Sequence, residues 1–130
     1  MPAVIVDEGL DWLKGKVINE ESGEKLYIVA VGDGTTTPTS SDTSLDNELY
    51  RADTDDSNCT IESTSNTGEV EFKITISGGT EVPADSEIAE FGVFTSGTEE
   101  MIYRETRAST VTLENGDRKT FEGTITFTDG

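Results

Sequence analysis

The segment "EVEFKITIS" (69–77) sets Val70, Phe72, Ile74 and Ile76 against Glu71, Lys73 and Thr75 in strict alternation. A period of two marks a strand with one buried face. "TFEGTITF" (120–127) repeats the pattern, with Phe121, Gly123, Ile125 and Phe127 on one side. "EIAEFGVF" (87–94) and "MIYRETR" (101–107) read as two strands joined by a hairpin loop over "TSGTEE". In "STVTLENGDRKTF" (109–121), Asn115-Gly116 is the strongest short-range hairpin signal in the chain. "KLYIVAV" (25–31) is apolar on both faces, as a strand covered on both sides would be, by a helix on one and a sheet or neighbouring subunit on the other. "LDNELYR" (45–51) fits either a helical turn or a short strand.

The N-terminal pattern is helical. Leu10, Leu13 and Val17, with Ile18 beside them, form one apolar stripe over residues 7–21, with Asp7 placed as N-cap and Gly23 as the stop. Gly9 and Gly15 weaken such a helix by up to about 1 kcal/mol each, so docking must supply its stability. The expected fold is mainly β: an antiparallel β-sandwich of about six or seven strands with one N-terminal α-helix, in a single domain over 1–130.

Charge changes the picture most. The chain carries 27 acidic and 9 basic residues, a formal net charge of −18, and no histidine. Nucleic acid and anionic membrane surfaces both need a basic stripe, which this balance excludes. Acid-rich chains are often disordered, but the regular alternation opposes that reading. The expectation is a folded protein adapted to molar salt, where a Debye length of about 3 Å screens self-repulsion. "MPAVIV" lacks a basic n-region and is not expected to be a signal peptide, and no apolar run approaches the ~18 residues of a membrane span.

Several stretches invite a chemical reading. "VGDGTTTPTSSD" (31–42) has the glycines of a phosphate loop but no Lys or Arg before Arg51, and no helix pattern follows directly. Gly32 and Gly34 are then expected in a tight turn, with Asp33 bonding local backbone. "DTDDSN" (53–58) fails the EF-hand pattern, because Asn58 and Thr64 stand where Gly and Glu are required. Asp53, Asp55 and Asp56 leave a different divalent site as an alternative to a solvated acidic turn. Cys59 is the sole cysteine and has no histidine to activate it, so a structural thiol is expected. "NCT" (58–60) matches the N-glycosylation sequon. With no histidine, acid–base work would fall on carboxylates, lysines, Tyr27, Tyr50 or Tyr103, and the serines lack a base and a G-x-S-x-G elbow. No catalytic, cofactor-binding or metal-ligating residue is assigned, and the chain is expected not to be an enzyme. A carboxylate-based glycosidase is the alternative from that class.

A family resemblance rests on ordered motifs. A helix, then "YIVAVGDGTTTPTSSDTSLDNELYRA", then "SEIAEFGVFTSGTEEMIYRETRA" resembles the N-terminal domain of the phage tail-collar fibre family, across about two-thirds of the chain. The shared features are a strand ending in G-x-G, a Thr/Pro/Ser/Asp segment, an L-x-N-E-x-Y-R element, an I-x-E-x-G-V-F strand and a hairpin into M-I-x-R. The resemblance implies a virion structural protein, located in the virus particle, that assembles with itself and with other tail, baseplate or capsid proteins, without cofactor. Longer family members add a shaft and a receptor-binding region, so this chain is expected to be an attachment or assembly module alone. A capsid turret or decoration protein, with loops that contact host-surface glycans, is the alternative. Arg51 and Arg104, each closing a motif, are expected to pair with acids within the domain or across an interface, unless they are simple surface residues with packed stems.

Overall fold

A computed structural model describes residues 3–5, 26–63 and 69–126. Eight strands run in chain order: β1 (Ala3–Ile5), β2 (Leu26–Gly32), β3 (Glu48–Asp53), β4 (Cys59–Ser63), β5 (Glu69–Ser77), β6 (Ser86–Thr95), β7 (Met101–Leu113) and β8 (Arg118–Thr126). They form two antiparallel sheets, a five-stranded one in the order β1-β7-β6-β2-β3 and a three-stranded one in the order β4-β5-β8. The described residues are mainly β and contain no helix. The helix expected over 7–21 lies outside them.

The core follows from the alternation. Phe72, Ile74 and Ile76 of β5 and Phe121 and Ile125 of β8 face Val29 and Val31 of β2, Ala52 of β3, Phe91 and Val93 of β6 and Tyr103 of β7. Burying each large side chain contributes about 1.5–3 kcal/mol, and two sheets sharing that layer make a sandwich. The ladder between β5 and β8 runs without a register break from Glu69↔Thr126 to Ser77↔Arg118.

The apolar residues on the other face of β2 also find cover. Ile28 and Ala30 join Phe94, Met101 and Leu45 in a second buried cluster, and Leu45 comes from the connection between β2 and β3. A loop residue, rather than a subunit, is thus part of the cover on this face.

The hairpin read at Asn115-Gly116 needs correction. The turn forms, with Gly116 at φ 90° and Asp117 N–H donating to the Glu114 carbonyl at 2.9 Å. The strands on either side nonetheless enter different sheets: β7 pairs with β6 and β1, and β8 with β5. Bonds between Gly116 N–H and Gly78 O (3.0 Å), and between Gly78 N–H and Asp117 O (2.9 Å), pin the turn to the β5–β6 connection. Leu113 and Phe121 both reach the core from either side of this corner, which a flat hairpin would not allow. Between β6 and β7 the expected hairpin does form, closed by Thr95 N–H donating to Glu100 O at 2.9 Å.

Candidate functional site

Glu90 is the one charged residue inside the apolar run of β6 and is fully buried. It lies on the same face as Phe94, beneath the 33–47 connection. Its Oε2 accepts the backbone N–H groups of Gly34 and Asn47, both at 2.9 Å, and its Oε1 accepts that of Asp46 at 3.0 Å. One carboxylate therefore satisfies three loop amides that strand pairing does not reach.

Arg104 supplies the countercharge. Its backbone stands opposite Gly92 in the β6–β7 ladder, and its side chain is 1% exposed. Nε and Nη2 donate to Glu90 Oε1 at 3.2 and 3.0 Å, Nη1 to Asp42 Oδ2 at 2.9 Å, and Nη2 also to Asp46 Oδ2 at 3.2 Å. The planar fork of Arg reaches three carboxylates in different directions, which the point charge of Lys could not. Asp42 and Asp46 hold the loop in turn: Asp42 accepts the Thr39 N–H at 2.9 Å, and Asp46 accepts the N–H (3.2 Å) and hydroxyl of Thr36. Burial disfavours ionisation of Asp42, but the Thr39 amide and Arg104 outweigh it and hold the carboxyl below its ordinary value. Asp46 is also lowered, chiefly by the Thr36 hydroxyl.

The tight turn expected at Gly32 and Gly34 does not form: Gly32 ends β2, neither glycine has a positive φ, and both are small because the clamp lies against them. A Cβ on Gly32 would sit 2.6 Å from Glu90 Oε2, and one on Gly34 would sit 2.6 Å from the same oxygen and 2.3 Å from Asp46 Cβ. Glycine permits the close approach of backbone to carboxylate. Asp33 accepts from the Asn47 side chain at 2.7 Å, rather than from backbone as expected.

The other sequence candidates lie apart from the clamp. Arg51 pairs with Glu48 (2.7 Å) and Glu99 (2.8 Å) near the surface and stacks over Phe94, 4.6 Å from the ring centroid. In the 53–58 turn, Asp56 accepts the Asp53 N–H at 3.0 Å, Asp53 accepts the Asp55 N–H at 2.9 Å, and Asp55 accepts the Tyr27 hydroxyl at 2.5 Å. That last bond is the main reason the phenol of Tyr27 is pushed up to about 12. These carboxylates close a turn. Among the described residues no group of three or more His, Cys, Asp or Glu could hold a metal ion. Asn58 donates its amide to Tyr50 Oη and Thr75 O, both at 3.1 Å, so the sequon nitrogen is engaged in joining the sheets. Cys59 is buried, and desolvation pushes its thiol up to about 11, which leaves almost no thiolate at neutral pH.

Glu90 was not foreseen from the sequence, and neither was a second buried acid. Glu105, 3% exposed, accepts the Tyr103 hydroxyl at 2.9 Å. Burial raises both groups, most directly by penalising their charged forms. Both sit on the inner side of β7, and "YRE" carries no sign that two of its three residues face the core. No family model, no curated protein and no solved structure matches this chain.

Proposed function

We propose that the protein is a structural component of a tailed virus particle from a salt-loving host, a tail, baseplate or fibre-attachment protein that assembles as a homo-oligomer. One observation supports this reading above others. The motifs that carry the family resemblance contribute Gly32 and Gly34, Asp46 and Asn47, Glu90 and Arg104, and all of these meet in one clamp around the buried Glu90–Arg104 pair. Residues set in that order along the chain thus serve a scaffold. In the clamp each carboxylate is occupied by amides, hydroxyls or Arg104, an arrangement suited to holding a loop rather than to moving protons. The acidic surface is compatible with assembly wherever salt screens it.

An electron-cryomicroscopy map of the intact virion, with peptide mass spectrometry of the same particles, tests the proposal. Density for this fold in multiple symmetry-related copies at the tail or baseplate is expected. Absence of the chain from purified particles, or its presence only on the capsid, would contradict the tail assignment.

A further inference from the structure

The edge of the smaller sheet is charge-complementary to itself. β8 is its outer strand, nine residues long, paired with β5 throughout without a bulge. Natural proteins usually shorten, bend or charge a strand edge to prevent pairing with another chain. β8 is neither short nor bent, and its outward residues Arg118, Thr120, Glu122, Thr124 and Thr126 are all exposed. Two of the nine basic residues in this acidic chain, Arg118 and Lys119, stand at its start. Lys119 and Arg107 both approach the Phe121 ring, at 5.9 and 5.4 Å from its centroid, so the core beneath the edge is already closed. What the edge offers is main chain and its outer row of side chains.

We infer that β8 pairs antiparallel with β8 of a second copy, about a two-fold axis at Thr120. In this register Arg118 of each copy stands opposite Glu122 of the other, and the two Thr120 residues face each other on the axis. Directly opposed residues of an antiparallel pair share a face, so both contacts fall on the outer row. Other registers fit less well: a shift of two residues toward the C-terminus sets Arg118 against Thr124, and a shift of four opposes Glu122 to Glu122. The row also continues each sheet's own pattern. Thr120 already shares a 2.7 Å hydrogen bond with Thr75, and Glu122 lies 3.8 Å from Lys73. Pairing would extend these into a threonine line and a Lys73–Glu122–Arg118 line across a joined six-stranded sheet. An isologous contact of this kind closes at two copies.

The inference specifies one contact within the proposed homo-oligomer and rests on that reading only for the existence of self-association. Its test is a cysteine on the axis. Oxidised Thr120→Cys should form a covalent dimer in about 1 M KCl, because opposed Cα atoms lie within disulfide reach. Thr124→Cys, far from its own copy in this register, should not. In sedimentation runs at about 0.5 M KCl, Arg118→Glu should raise the dimer dissociation constant by roughly tenfold, and the Arg118→Glu/Glu122→Arg double variant should restore it. Oligomer formation without Thr120→Cys cross-linking, or with cross-linking at Thr124 instead, would overturn the β8 contact while leaving homo-oligomerisation standing. A monomer under every condition would overturn both.

Discussion

Arg104 and Glu90 form an ion pair, 3.0 Å between Nη2 and Oε1, that is sealed from water under a loop for which it supplies the hydrogen-bond partners. The pair sits on strands, and the loop adapts to it. A buried ion pair does not by itself add stability, since desolvation offsets much of the attraction. Its value here is that three loop amides would otherwise be left without an acceptor.

The first prediction concerns that pair. Arg104→Met removes the one cation that, among the described residues, pairs with Asp42, Asp46 and Glu90, and should destabilise the domain by about 3–5 kcal/mol. Urea unfolding in molar KCl measures this. Arg104→Lys should recover only part of the loss, because one ammonium cannot reach all three acids. Full recovery by Lys would show that charge alone matters and geometry does not.

Gly34 gives a second test. Alanine there would bring its Cβ to 2.3 Å from Asp46 Cβ, whereas a Cβ on Gly116 meets nothing within 4 Å. Gly34→Ala should therefore cost about 1–3 kcal/mol through overpacking of the clamp. Gly116→Ala should cost about 1 kcal/mol, from its positive φ alone. Comparison of the urea midpoints decides the order, and an unchanged Gly34→Ala midpoint would contradict the close approach.

The pH dependence follows from Glu105. Its folded value is raised above the ordinary 4.5, so its ionised form opposes folding at neutral pH. That cost fades as pH falls through the folded value toward 4.5. Asp42 and Asp46 act oppositely: both lie below 3.8, so their contribution is present above that value and is lost as pH falls below it. Glu105→Gln keeps an acceptor for the Tyr103 hydroxyl and should raise the melting temperature at pH 7. The gain should shrink as the pH is lowered toward about 4.5, as thermal unfolding across a pH series would record. A gain independent of pH would contradict the assignment.

Some of this was legible in the sequence and some was not, for physical reasons. β5 and β8 could be read directly because one buried face imposes a period of two, and β6 because a strand buried on both faces is a continuous apolar run. β1 and β4 were not anticipated: three and five residues are too few to show a period. The Asn115-Gly116 signal specifies a turn but not whether the chain stays in one sheet, which depends on where Leu113 and Phe121 must be buried. Arg104 was expected to pair with acids, and it does. Its partners could not be named, because Asp42, Asp46 and Glu90 come from two segments placed beside it by the β6–β7 register and by the path of the loop. The glutamate flanked on both sides by apolar residues in "IAEFGVF" (88–94) was the available signal for Glu90.

The most direct test of a self-assembling structural protein adapted to salt is to follow melting temperature and molar mass together across a KCl series from about 0.1 to about 2 M. With −18 on 130 residues, unscreened repulsion opposes both folding and contact between copies. Screening lengths fall from about 10 Å at 0.1 M to about 3 Å at 1 M, so most of the change should come in the first several hundred millimolar. Circular dichroism and light scattering should show stability and oligomer fraction rising together. Flat or falling stability, with a monomeric mass at every salt concentration, would contradict the account.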